Sequence, residues 1–196
     1  GHLALASLYI FKKDPKSAEN EYQEALKILP KDLTLHITLG NFYASQKRFD
    51  EAEAKYKEAA GLASDNPLPY LVLGDFYLLQ EKEAAAIEAY QKGDKIKPTS
   101  AIARKRLASY YLSKMKFDEA SKYVEDILKK NPKDPDGHVL KGRIALAKIK
   151  VSEAVSEFQQ VLKDEPARTD ARFYLAQAHI LSGDLQLAKN ELTETL

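Results

Sequence analysis

The sequence predicts an all-α fold, a solenoid of six antiparallel helix pairs. Small and aromatic residues recur every 34 residues along the whole chain of 196 residues. Between these positions, apolar residues follow the 3.6-residue spacing of an amphipathic helix, and no window shows the strict alternation of a strand. A fixed period of this length is typical of stacked helix pairs, because each pair can bury its apolar face only against its neighbours.

Two columns of small residues define the period. One column holds only alanine: Ala18, Ala52, Ala86, Ala120, Ala154 and Ala188. The other contains three glycines and three alanines: Ala6, Gly40, Gly74, Ala108, Gly142 and Ala176. Helix axes approach according to the size of the side chains at their contact. We therefore expect these positions to bring the two helices of each pair close together.

Two further columns are mainly aromatic, and we expect their rings to fill the space between a helix and the next repeat. The first contains Tyr9, Tyr43, Tyr77 and Tyr111, followed by Ala145 and His179. The second contains Tyr22, Tyr56 and Tyr90, followed by Val124, Phe158 and Leu192.

Proline marks the end of most repeats, at Pro30, Pro98, Pro132 and Pro166, with Ser64 in the remaining place. Proline cannot continue a helix, because it lacks an N–H group and clashes with the preceding turn. First helices are expected near 1–12, 33–46, 67–80, 101–114, 135–148 and 169–182. Second helices are expected near 15–28, 49–62, 83–96, 117–130, 151–164 and 185–195.

The whole chain, 1–196, is expected to be one solenoid, and its two ends lack the extra polar helix that usually covers a terminal repeat. We therefore expect a piece of a longer array, whose exposed ends are candidates for self-association. The repeats cover about 1–32, 33–66, 67–100, 101–134, 135–168 and 169–196.

Composition excludes several functions. The 30 Lys and Arg residues nearly balance the 29 Asp and Glu residues, so no general attraction to nucleic acid is expected. The basic stretch from Lys92 to Lys116 spreads over several helix faces. The chain has no cysteine, which removes thiolate chemistry, and no apolar stretch approaches the roughly 18 residues of a transmembrane segment.

No catalytic or metal motif is present, so a non-catalytic chain with no cofactor and no metal is expected. His2, His36 and His138 share one column, and His179 lies in an aromatic column. Residues of one column are a full repeat apart, too far to share one ion. Paired acids such as Asp50 and Glu51 open a second helix, where they favour the positive end of the helix dipole.

The repeat resembles the tetratricopeptide repeat. The resemblance is carried by Leu39-Gly40-Asn41-Phe42-Tyr43, Phe49-Asp50-Glu51-Ala52 and Tyr56-Lys57-Glu58-Ala59. It covers the whole chain and implies a right-handed superhelix with a concave groove lined by the first helices. Two features depart from the family. His36, Arg104, His138 and Arg172 replace a large aromatic residue early in the first helix, and only Gly183 supplies the usual glycine of the turn within a repeat.

The resemblance also implies which columns contact a partner. A clamp for a terminal carboxylate, known in some members, matches only Asn41 and Arg106 here and is not supported. What remains is an apolar groove in which Lys105 and Arg143 are candidates for binding a ligand carboxylate. Alternatively, Asp75 and Arg106 neutralise each other and the leucines pack under adjacent helices. The candidate contact residues are Asn41, Leu68, Leu71, Val72, Asp75, Lys105, Arg106, Val139, Leu140, Arg143, Phe173 and Tyr174.

The main hypothesis is therefore an adaptor that binds a peptide or helix of a protein partner. The alternative is a structural scaffold acting by end-to-end stacking or through its convex second helices. The last repeat, 171–178 with 182–185, resembles bacterial tetratricopeptide proteins, including exported lipoproteins. This favours a bacterial cell-envelope or periplasmic setting over a cytoplasmic one, and the sequence upstream of Gly1 would decide.

Overall fold

The computed structural model describes residues 1–63 and 65–194, so Ser64 of the proline column and the expected helix end at Thr195 lie outside the described residues. The described chain forms α-helices and no strand, which confirms the all-α prediction. In chain order the helices are α1 (His2–Phe11), α2 (Pro15–Ile28), α3 (Leu33–Ser45), α4 (Phe49–Leu62), α5 (Leu68–Leu79), α6 (Glu83–Ile96), α7 (Ile102–Ser113), α8 (Phe117–Lys130), α9 (Pro135–Ala147), α10 (Val151–Asp164), α11 (Thr169–Ser182) and α12 (Leu185–Thr193).

The chain divides into two compact units, residues 1–103 and 104–196. In each unit, helices that follow each other in sequence pack as antiparallel pairs, because the turns between them contain only two or three residues. Successive first helices also touch directly, α3 against α5 in unit 1 and α9 against α11 in unit 2. The exposed surface that the first helices share in one unit is called the first-helix face below.

The turns within the six repeats share one backbone conformation. In every case a residue one or two positions after the last helical residue has a positive φ: Lys13, Lys47, Glu81, Met115, Ile149 and Gly183. The next residue then donates its N–H to a carbonyl five positions earlier, as Lys150 does to Ala145 at 2.8 Å. This is the Schellman ending of a helix, which normally takes glycine. Five of the six repeats therefore carry a side chain at the turn position where the resemblance implies glycine.

The small-residue columns lie between the helices of each pair, as expected. Ala18, Ala52, Ala86, Ala120 and Ala154 are fully buried. The glycines of the second column face aromatic rings of the paired helix, and a Cβ atom on Gly74 would lie 2.4 Å from the ring of Tyr90. Glycine at these sites therefore allows the close approach that the sequence predicts.

The second helices end just before the prolines, at Ile28, Ile96, Lys130 and Asp164. Two first helices are preceded by an aspartate that accepts hydrogen bonds from free backbone N–H groups. Asp32 accepts from Thr34 and Leu35, and Asp134 accepts from Gly137.

Candidate partner-binding groove

In unit 1, the polar candidates Asn41 and Asp75 accept hydrogen bonds from tyrosines of the paired second helices. The hydroxyl of Tyr56 donates to Oδ1 of Asn41 at 2.7 Å, and the hydroxyl of Tyr90 donates to Oδ1 of Asp75 at 2.6 Å. Both rings are buried, and burial raises the pKa of Tyr56 to about 12. The Tyr56 hydroxyl therefore remains a donor at neutral pH, and it fixes the orientation of the Asn41 amide.

The apolar candidates differ in what they offer a partner. Leu68 is about half exposed at the start of α5, and Val72 is half-buried. Leu71, Val139 and Leu140 are buried in the core. These three side chains support the first-helix face from beneath and leave little area for direct contact in the free protein.

Lys105 is not an open cation, because two carboxylates already bind it. Its Nζ lies 2.8 Å from Oδ1 of Asp134 and 2.8 Å from Oδ2 of Asp136. Asp136 also pairs with Arg168, which in turn contacts Asp170 at 2.8 Å. Positive and negative side chains thus alternate near the N-terminal ends of α9 and α11. They are called the charged row below: Lys105, Asp136, Arg168 and Asp170.

Within the charged row, ion pairing shifts the pKa of Asp136 and the pKa of Lys105 so that both stay charged. Burial by itself would raise the pKa of Asp136, but hydrogen bonds from Lys105 and Arg168 outweigh it and hold the pKa below its usual value. Burial would likewise lower the pKa of Lys105, and its two carboxylate partners raise the pKa instead. A ligand carboxylate would have to displace an existing partner to reach Lys105.

Arg143 of unit 2 contacts an aromatic ring. Its guanidinium lies over the ring of Tyr174, 5.0 Å from the centroid. Tyr174 stacks on Phe158 at 5.8 Å and meets Phe173 edge-on at 5.5 Å. Within the described ranges, Arg143 forms no ion pair. Its charge is therefore available to a ligand, while the aromatic rings hold the side chain in place. Arg106, the remaining candidate, is exposed in α7.

Beside Arg143 the first helices enclose an open apolar cleft of about 460 Å³. Arg143 and Tyr174, two of the predicted contact residues, line one part of it beside Gln177. Most of the lining was not predicted: Leu112, Leu146, Ala147, Ile180 and Leu181. The signal was available, because Leu112, Leu146 and Ile180 form an apolar column spaced by 34 residues, one turn beyond the predicted columns.

The histidines and arginines that replace the family aromatic serve as internal bridges. Nε2 of His138 lies 2.9 Å from the carbonyl oxygen of Pro132, and its Nδ1 lies 2.6 Å from Oε2 of Glu157. Arg172 joins the carbonyl of Pro166 to Glu191 in the same way. His138 and Arg172 thus each tie the start of a first helix to the linker before it and to the paired second helix. No group of three His, Asp or Glu residues in the described parts is arranged to hold a metal.

Sequence comparison agrees with the repeat geometry. The family profile described as tetratricopeptide repeat matches residues 10–68, 77–144 and 145–196. The chain belongs to the tetratricopeptide-repeat family. No curated protein sequence matches this tetratricopeptide-repeat chain. Among the described helices, none combines the length and apolar character that crossing a membrane requires.

Solved tetratricopeptide-type structures share the fold at low sequence identity. A tetratricopeptide repeat protein from Parabacteroides merdae is 17% identical, with a TM-score of 0.74 over 98% of this chain and 77% of that one. PilW, a type IV pilus biogenesis factor, is 20% identical, with a TM-score of 0.69 over 97% of this chain and 88% of PilW. Yeast Tom70 is 18% identical, with a TM-score of 0.80 over 99% of this chain and 42% of Tom70. At these identities the similarity supports the fold alone.

Proposed function

We propose that this tetratricopeptide-repeat chain is a non-catalytic interaction module that holds a peptide or helix of a partner protein on its first-helix face. The cleft beside Arg143 carries the proposal. Its lining includes Ile180 and Leu181, whose side chains are each about half exposed. It also includes Arg143, which forms no ion pair in the described part of the chain. Apolar anchors beside a polar group are the usual pattern of a protein interface.

The expected ligand is an amphipathic segment with an acidic residue beside its apolar face. Apolar side chains spaced three or four residues apart would occupy the cleft, as in other helix-in-groove complexes. A carboxylate on the same segment would pair with Arg143. The first-helix face of unit 1 offers a second candidate surface, with Leu68 and Val72 next to the polar Asn41 and Asp75.

A peptide library tests this proposal without a known partner. Random peptides of about 12 residues displayed on phage would be enriched on the wild-type chain, and the affinity of the enriched sequences measured by fluorescence anisotropy. We expect enriched peptides to combine apolar residues with Asp or Glu. Arg143→Glu and Leu181→Asp should each weaken them about tenfold or more, which corresponds to about 1.4 kcal/mol.

The matched control is Lys163→Glu, which reverses an exposed charge on second helix α10 and should leave binding unchanged. Lys105→Glu is a poorer test, because it would also break the pairs with Asp134 and Asp136. A peptide whose acidic residue is replaced by lysine should bind the Arg143→Glu variant again, because the charges of the pair are exchanged. Peptides that bind wild type and both groove variants equally would refute the proposed site.

A scaffold function is the alternative, and exposed apolar side chains on two helices favour it. Leu5, Leu8 and Phe11 are exposed on α1, and Leu185 and Leu187 on α12. A scaffold would self-associate without any peptide. Light scattering over a range of protein concentrations separates the two functions, since an adaptor should keep a constant mass when no ligand is added.

A further inference from the structure

The fifth repeat lacks an aromatic side chain that earlier repeats use to join neighbouring pairs. In the second and third repeats the tyrosine of the first aromatic column reaches back to the preceding second helix. Tyr43 donates to Oε1 of Glu19 at 2.9 Å, and Tyr77 donates to Oε1 of Glu53 at 3.0 Å. The equivalent position in α9 is Ala145. The fifth repeat therefore cannot make this contact.

The partners of the missing ring are also reduced in size. Ser121 occupies the column that holds Glu19 and Glu53 in the first two repeats and Ile87 in the third. Val124 takes the place of the buried ring of Tyr90, and Ile144 takes the place of Phe76. Three large side chains and one glutamate are thus replaced by smaller ones in the same region.

A cavity of about 700 Å³ occupies this region, between α8 and the pair α9 and α10. It is called the Ala145 pocket, and its floor is formed by Val124, Leu128, Ile144 and Ala145. These side chains are buried or half-buried. The volume lies within the range of about 300 to 1,000 Å³ that is typical of small-molecule sites, and an apolar floor is also typical of them.

The rim of the Ala145 pocket is basic. It carries five lysines against three acids, the acids being Asp118, Glu125 and Glu153. Three of the lysines have partners: Lys141 pairs with Glu157, Lys148 with Asp118 and Lys150 with Glu153. The other two, Lys122 and Lys129, form no ion pair within residues 1–63 and 65–194.

The side of α8 that borders the pocket carries Lys122 and Lys129 with Glu125 between them, and Asp118 is already paired with Lys148. This side of α8 therefore adds one net positive charge to a cavity with an apolar floor. Lys122 and Lys129 lie seven residues apart, which is two helical turns, so they occupy the same face of α8. A neutral apolar ligand would use only the floor. An acid with an apolar body would use both the floor and these two lysines.

We propose that the Ala145 pocket binds a small aromatic anion. Its ring system would rest on the apolar floor, in the space of the missing tyrosine, and its acidic group would face Lys122 and Lys129. The site is separate from the cleft on the first-helix face, since the two share no lining residue.

A pair of fluorescent probes tests both halves of the proposal. 1-Anilinonaphthalene-8-sulfonate carries aromatic rings and a sulfonate, whereas N-phenyl-1-naphthylamine carries the same rings without a charge. We expect the full chain to bind the sulfonate at least about tenfold more tightly than the neutral probe. Ala145→Tyr should abolish this binding, because it restores the ring that the earlier repeats carry.

Ala145→Tyr should also melt at the wild-type temperature or higher, because the new ring fills a cavity. If that variant fails to fold, Ala145→Leu occupies part of the same space and should still weaken the sulfonate at least about fivefold. Equal binding of the sulfonate to wild type and to a folded pocket-filling variant would overturn the proposal.

Reversing the charges of Lys122 and Lys129 tests whether the pocket prefers an anion. Lys122→Glu with Lys129→Glu should weaken the sulfonate about tenfold or more and leave the neutral probe within about twofold. Lys31→Glu with Lys97→Glu makes the same charge change in unit 1 and should alter neither probe. If reversal of Lys122 and Lys129 weakens both probes equally, the proposed preference for an anion is wrong.

Discussion

Gly142 of α9 faces the ring of Phe158 in α10 so closely that a Cβ atom at position 142 would lie 2.5 Å from Cε1 of Phe158. The same relation holds for Gly40 and Tyr56 in the second repeat, at 2.6 Å. In the fourth repeat, both members of the pair change together, to Ala108 and Val124. At Gly142 and Gly40 the ring of the paired helix therefore occupies the space that a Cβ atom would need.

Gly142→Ala is the first prediction. The added methyl group would collide with the buried ring of Phe158, and overpacking of this kind costs about 1 to 3 kcal/mol of unfolding free energy. The greater helix propensity of alanine offsets up to about 1 kcal/mol of that loss. Urea unfolding should show a net destabilisation.

Phe158→Leu supplies the control for this prediction. Alone it leaves a void, but in combination with Gly142→Ala the smaller side chain makes room for the methyl group. The double variant should lose about 1 kcal/mol less than the sum of the two single variants. Simple additivity would show that the ring and the glycine are not coupled.

Ile149→Gly is the second prediction, and it should stabilise the protein. Ile149 has a φ of 58° in the turn between α9 and α10, and its side chain is 76% exposed. The left-handed conformation costs a β-branched residue roughly 1 to 2 kcal/mol, and glycine avoids that cost. We expect a gain of about 1 kcal/mol by chemical unfolding.

Ile149→Ala removes the same exposed side chain but keeps the Cβ atom. It should gain clearly less than Ile149→Gly, because the strain comes from the Cβ atom in this backbone conformation. Equal stability of the two variants would contradict the explanation by backbone strain.

Glu53→Gln is the third prediction and concerns pH. Hydrogen bonds from Lys57, Lys82 and Tyr77 outweigh the effect of burial and lower the pKa of Glu53 from 4.5 to about 2. Because the folded pKa lies below the unfolded one, the carboxylate stabilises the fold above about pH 4.5, and this stability is lost as the pH falls toward 2. At neutral pH, Glu53→Gln should cost about 1 to 2 kcal/mol.

Unfolding titrations between pH 7 and pH 2 check this prediction. The difference in unfolding free energy between wild type and Glu53→Gln should shrink as the pH drops through this window. Glu125→Gln removes an exposed carboxylate of α8 and should follow wild type throughout. A difference for Glu53→Gln that does not vary with pH would contradict the assigned role of the carboxylate.

Asp136→Asn is the fourth prediction. Asp136 joins Lys105 to Arg168, and removing its charge leaves both half-buried cations with one partner fewer. We expect a loss of about 1 to 3 kcal/mol in thermal or urea unfolding. Asp118→Asn is the matched control, because Asp118 also pairs with a lysine but its side chain is 87% exposed. That change should stay within about 0.5 kcal/mol, and equal effects of both variants would argue against the charged row.

The sequence alone was sufficient to predict the fold. Each structural position occurs six times in it, so a single departure such as Ser64 in the proline column could not obscure the period. The observed helix ends differ from the expected ones by at most one or two residues across the described chain. Local chemistry explains this accuracy, since proline, small residues and apolar spacing act within one repeat and do not depend on distant contacts.

Only the tertiary structure showed which side chains of the candidate sites are paired and which line a cavity. Lys105 looked available in the sequence, but Asp134 and Asp136 bind it from the start of the next first helix. Only folding shows that Ala145 and Ser121 face a common cavity, because they belong to different repeats. The repeat pattern specifies which element each residue belongs to, whereas charge pairing and empty volume depend on the side chains that neighbouring repeats bring together.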